Sequence, residues 1–205
     1  MTIVYLCLMK ALELSRRKER DGRRLRSVNT QGIIVDAAMT LIRKGFLNPT
    51  AQQVADEAGM GIRSVFRKFN DKETLFSEMD KRIKENHQEL FTSLIVGSLK
   101  ERIKDLVKIE AIAFEDNIQF IKATLVNKWR YEALEENYKK NQLQIKMLMF
   151  QCLPEIKELD LNIQVALAAV NSPNFWIELR DNQFLSVAQA KESKILIFEE
   201  VLLKK

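Results

Sequence analysis

Residues 50–69, TAQQVADEAGMGIRSVFRKF, constrain the fold more than any other stretch of the chain. Thr50 followed by Gln53 is a capping-box start, in which each side chain satisfies a free backbone N–H at a helix N-terminus. Val54, Ala55 and Ala58 form an apolar face of small residues, so a second helix can cross closely. Gly59 supplies the left-handed backbone that ends a helix in a sharp turn, and Met60 is placed to plug the gap beneath it. Ile62, Val65, Phe66 and Phe69 recur at i, i+3, i+4 and i+7, the apolar face of a second helix. Opposite them stand Arg63, Ser64, Arg67 and Lys68. A small-faced helix, a glycine turn and a second helix with a basic outer side are what a helix-turn-helix requires, and that unit lays its second helix in the DNA major groove.

The rest of the chain agrees with an all-α architecture. Six glycines and three prolines in 205 residues favour long helices over a turn-rich sheet protein, and 46% hydrophobic residues are enough for real cores. Residues 10–28 hold eight basic residues against three acidic ones, which matches the formal excess of +5 carried by the whole chain. Residues 15–28 have Gly22 in the middle and no apolar period, so residues 1–28 read as a flexible basic arm. Such an arm strengthens attraction to phosphate and makes it salt-dependent. A minor-groove contact by its arginines and a merely solvated tail are both open.

Catalysis is not expected. Cys7, Cys152 and the single histidine, His87, fit neither a disulfide framework nor a metal-ligand spacing. No nucleophile–base set or glycine-rich phosphate loop is present, so neither enzyme activity, a metal nor a cofactor is expected. The start, MTIVYLCLMK, is apolar but lacks the basic lead and cleavage site of a signal peptide. No run approaches a membrane span. A reducing cytoplasm is the expected location.

Along the chain, Ile33, Ala37 and Leu41 run beside Ile34, Ala38 and Ile42, a broad apolar face of a helix that Gly45 ends. Asn70 with Glu73 reads as a second capping box, opening a long helix through Leu75, Phe76, Met79 and Ile83 that links the two halves. Beyond it, helices are expected at about 99–116, 118–130, 133–152 and 160–171. Ser172-Pro173 breaks the pattern, and Ser186 with Gln189 caps a last helix to about Leu203. The near-uncharged helix at 161–171 and the last helix are candidates for a dimer four-helix bundle, through Val165, Leu167, Ala168, Leu196, Phe198 and Leu202.

Residues 29 to about 77 resemble the N-terminal domain of TetR-type transcriptional regulators. The residues that carry this are Ala37-Ala38, Gly45, Thr50, Ala58-Gly59, Phe66 with Phe69, and Lys72-Glu73, in that order. The later stretch SPNFWIELRDNQFLS resembles a W-x-x-L-R segment of some members. The resemblance implies a flexible arm at 1–28, a DNA-binding domain at 29–77 and a helical effector-binding and dimerisation domain at 78–205. It implies that Thr50, Ala51 and Gln52 hold a phosphate at a helix start. Met60, Gly61, Ile62, Arg63 and Ser64 would enter the major groove, with Phe66, Arg67, Lys68 and Lys72 along the interface. The family usually has Tyr where this chain has Phe66, so a phenolic contact to phosphate is lost, and it often has His where this chain has Lys68.

The expected partners are a palindromic duplex operator, a second copy of the chain and a small-molecule effector. Arg63 is the candidate for a guanine contact, while Ile62 is divided between a thymine methyl and packing. Phe114, Phe120, Trp129, Met147 and Phe150 are candidate walls of the effector pocket. The expectation is a repressor released from DNA by its effector. The alternative is a helical small-molecule- or partner-binding protein with only non-specific DNA affinity. A third reading has residues 1–28 at a membrane surface.

Overall fold

In the computed structural model the described residues are 29–69, 71–92 and 96–204, with side chains described outside 84–92. The basic arm, Cys7, Asn70 and the side chain of His87 lie outside that set. Among the described residues every regular element is a helix, and no helix is long and apolar enough to cross a membrane. The order is α1 (29–43), α2 (Ala51–Glu57), α3 (Ile62–Lys68), α4 (Lys72–Thr92), α5 (Leu99–Asn127), α6 (Glu132–Cys152), a 3-10 turn (Pro154–Glu158), α7 (Leu161–Val170), α8 (Pro173–Ile177), a π turn (Glu178–Asn182) and α9 (Val187–Leu202).

The first four helices enclose a core of Ile34, Ala38, Ile42, Val54, Ala55, Val65, Phe69, Phe76 and Met79. That core does not stop at α1–α4, the head that contains the expected helix-turn-helix reader: Phe120 and Ala123 of α5 and Leu134 of α6 belong to it. A second core, built on Ile103, Leu106, Met149, Leu153, Ile156, Leu167 and Phe198, joins α5, α6, the 3-10 turn, α7 and α9. A third gathers Phe114, Trp176, Leu179 and Ala190. Each fully buried Leu, Ile or Phe contributes roughly 1.5–3 kcal/mol.

Several expectations need correction. The two helices expected at 99–116 and 118–130 are one helix, α5. At the expected break the Asn117 amide donates to the Ala113 carbonyl one turn back, and the helix runs on. It begins in a capping box that the sequence reading passed over, Ser98 with Glu101. The Glu73 carboxylate accepts from the backbone N–H of Ala133 at 2.7 Å, at the start of α6, and its expected capping partner Asn70 lies outside the described residues. Asp71 instead accepts from Thr74 N at the start of α4, a bond that holds the Asp71 carboxyl below its ordinary value. Of the expected dimer face, Leu167, Phe198 and Leu202 are buried within the chain, filling the second core. The apolar residues left in solvent on α7 and α9 are Leu161, Ile163, Val165 and Leu196.

Polar side chains fix the C-terminal helices to one another. Glu115 of α5 accepts from the Trp176 indole and from Arg180 Nε, both at 2.8 Å, so the W-x-x-L-R segment is tied to α5. Arg102 donates to the Cys152 carbonyl at 2.7 Å and pairs with Glu155. Lys194 of α9 and Glu110 of α5, both withdrawn from water, bond at 2.8 Å, and Asn171 donates to the same carboxylate.

Candidate nucleic-acid interface

Two helices of seven residues are too short to persist alone, so local backbone chemistry and packing must hold them. Thr50 Oγ1 accepts from Gln53 N at 3.2 Å while Gln53 Oε1 accepts from Thr50 N at 2.8 Å, the reciprocal capping box. The Thr50 hydroxyl hydrogen is left to donate outward, and Thr50 is exposed. At the other end of α2, Gly59 N donates to Asp56 O and Met60 N to Ala55 O, a Schellman turn that requires the positive φ of 63° at Gly59. Gly45 closes α1 in the same way, with φ 94°. Ala55, with no exposed surface, lets α2 and α3 approach, and Val65 and Phe69 pin α3 from beneath.

What α3 presents outward follows from that packing. Gly61, Arg63, Phe66 and Arg67 are exposed, and Ser64 and Lys68 are half-exposed. Met60 and Ile62 are half-buried against the reader core, so packing claims part of each. Phe66 departs from the expected stripe. It is 53% exposed, because a two-turn helix resting on Val65 and Phe69 turns position 66 to the rim. At the start of α2, Ala51 is half-buried and Gln52 donates to Asp56 at 2.7 Å. Lys72 Nζ donates to Asn48 Oδ1 at 2.6 Å, which sets the ammonium beside the loop leading to Thr50. Burial, then the nearby Arg130 charge, lowers the Lys72 pKa.

A cleft of about 890 Å³ opens between α4, α5 and α6, with Pro173 at one end. Phe114, Phe120 and Met147, among the expected walls, line it. Trp129 and Phe150 do not. Trp129 is 70% exposed in the α5–α6 loop, and Phe150 packs with the second core. The lining residues that sequence reasoning missed include six carboxamides, Asn117, Asn137, Asn141, Gln142, Gln144 and Gln151, and the charged residues Asp80 and Lys81. The signal of the carboxamides was present, since 137, 141, 144 and 151 fall on one helical row of α6. Among the described residues no group of His, Cys, Asp and Glu could hold a metal ion.

The family model for bacterial regulatory proteins of the tetR family matches residues 33–79, which span α1 to the first turns of α4. Comparison with curated proteins found no match. Among solved structures the chain is similar to a Clostridium perfringens protein described as a fatty acid metabolism regulator. The two are 20% identical with a TM-score of 0.55, over 83% of this chain and 96% of that one. It is also similar to a Mesorhizobium loti protein described as a TetR-family transcriptional regulator. Here identity is 19% and the TM-score 0.55, over 86% of this chain and 98% of that one. At such identities the structural likeness speaks for the fold, while the matched segment speaks for the two-helix reader and its flanking helices. The capping box, the glycine turn and the exposed basic face of α3 therefore belong to a recognised unit, and residues 33–79 match the DNA-binding segment of the tetR family of bacterial regulatory proteins.

Proposed function

We propose that the chain is a cytoplasmic, homodimeric repressor that reads a palindromic operator and is released from it by a small molecule. The observation that carries the reading is the outer face of α3, where Arg63, Ser64 and Arg67 stand clear of the core that Val65 and Phe69 enter. One copy would read one half-site, with the two α3 helices about 34–36 Å apart in successive major grooves. Leu161, Ile163 and Val165 of charge-free α7, with Leu196 of α9, favour dimerisation through those helices, since exposed apolar residues gathered on two neighbouring elements gain by being covered. The cleft supports an effector with many hydrogen-bonding groups and an apolar side, because six carboxamides share its wall with Phe114, Phe120 and Leu148. Binding there would select one of two subunit arrangements and so change the spacing of the α3 helices.

The test is selection from random duplex DNA by the purified full chain at near-physiological salt. An inverted repeat with half-sites about one helical turn apart is the expected product. Recovery of unselected, salt-sensitive DNA alone would favour the other reading, a helical binding protein with sequence-blind affinity, to which Phe66 in place of the family's Tyr lends some support.

A further inference from the structure

The loop at 128–131, between α5 and α6, is fastened to the reader from both sides. Asn127, with no exposed surface, donates from Nδ2 to the Leu47 carbonyl at 2.9 Å. Ala133 N donates to Glu73 at 2.7 Å, and the Tyr131 ring lies 6.0 Å from that of Phe76. Arg43 of α1 lies 5.3 Å over the Phe120 ring. The loop thus moves with the reader, although it belongs to the C-terminal half.

What it presents is cationic and aromatic. Lys128 Nζ sits 4.0 Å over the Tyr138 ring. Trp129 is 70% exposed yet fixed, its indole N–H donating to the Val126 carbonyl at 2.8 Å. The Arg130 guanidinium stacks 4.5 Å over that indole, which limits its rotamers and leaves its fork of donors facing out. Asn127 and Ala133, on either side of Arg130, are bonded to Leu47 and Glu73, the chain neighbours of Asn48 and Lys72, and Lys72 is itself bonded to Asn48, two residues before Thr50. Neither cation has a carboxylate partner among the described residues. Thr50, Lys72 and Arg130 are thus carried by segments bonded to one another: the loop before α2, the start of α4 and the α5–α6 loop. Like charges kept side by side without an acid suit a polyanion with regular spacing, and a guanidinium matches phosphate geometry.

We propose that Arg130, steadied by Trp129, is a DNA-backbone contact contributed by the C-terminal half, on phosphates flanking those met by Thr50 and Lys72; this rests on the reading of α2 and α3 as the DNA reader.

The experiment measures affinity of the full chain for a random-sequence duplex about three helical turns long, across a salt series. It compares wild type, Arg130→Ala, Arg130→Lys and, as a distant control, Lys204→Ala. Arg130→Ala is expected to reduce the slope of log affinity against log salt by about 0.9 and to weaken binding about three- to tenfold at near-physiological salt. The loss should be equal on random and selected duplexes, and Arg130→Lys should keep the slope. An unchanged slope overturns the proposal, whether affinity holds (the loop touches nothing) or falls (the loop only steadies the reader). Wild type without salt-dependent affinity sinks the reading of α2 and α3 itself, a result distinct from a wild type that binds and an Arg130→Ala variant that matches it.

Discussion

In the reader, Arg63 and Arg67 stand in solvent with no carboxylate partner among the described residues, whereas in the C-terminal half Lys194 and Glu110 are both withdrawn from water and bonded to each other. The second arrangement is costly by itself. Taking two charges out of water is offset only by close geometry and by further bonds, here the Asn171 amide on Glu110 and the Phe114 ring 5.5 Å from Lys194. Arg180 and Arg102 are likewise occupied, by Glu115 and Glu155. On α3 two arginines are left for an outside anion, whereas Lys194, Arg180 and Arg102 are used to fix helix against helix. The difference separates the groups whose loss should change binding from those whose loss should change folding.

The largest expected effect is in the buried pair. Glu110→Ala leaves Lys194 without a counter-charge, and urea unfolding should show a loss of about 3–5 kcal/mol. Joining Glu110→Leu with Lys194→Met should recover most of it, because two apolar side chains of similar volume avoid the desolvation cost. A single variant as stable as wild type would break the contrast. In the reader, Arg63→Ala should leave unfolding unchanged but remove about 1–3 kcal/mol of discrimination at one base pair, seen by competition between operator variants. Equal weakening on every sequence would make Arg63 a phosphate contact. The smallest effect concerns Cys152, whose thiol is pushed up from 9.0 to about 11 by burial first and by the Glu110 charge second. A raised thiol pKa means that the folded chain holds this proton more tightly. The associated stability is present below the ordinary thiol pKa and is lost as pH rises towards the shifted one. At pH about 8 an alkylating reagent should therefore reach Cys152 only upon unfolding, and labelling at the rate of a free thiol would argue against its burial.

How much could be read from the sequence follows the same division. The reader was legible because its determinants are local: Thr50 and Gln53 are three residues apart, and Gly59 alone announces the turn. Phe66 was misplaced because periodicity over two turns leaves the edge of an apolar face undefined. In the C-terminal half the decisive partners are distant in sequence: Glu110 meets Lys194 84 positions on, and Trp176 and Arg180 reach back to Glu115. Nothing in a window of helical length announces such pairs. Glu73 shows the same limit inside the reader, since it bonds a backbone N–H 60 positions later. Trp129 read as a wall by its residue type, but its place in a loop turned it outward. The amide row of α6 has helical spacing in the sequence, but a polar row on a helix is the pattern of a solvated face as well as of a cleft wall.

The core shared by α1–α4 with Phe120, Ala123 and Leu134 bears on modularity. A chimaera cut after residue 77 would strip apolar surface from both pieces and leave Asn127 without the Leu47 carbonyl it bonds. Exchanging recognition between such proteins would thus require transplanting the lower ends of α5 and α6 together with the reader, or redesigning their seam. Change of DNA specificity by point substitution on the outer face of α3 escapes that constraint, because those side chains lie outside the seam. The fold in this way leaves recognition free to drift residue by residue while resisting wholesale exchange of its DNA-binding head.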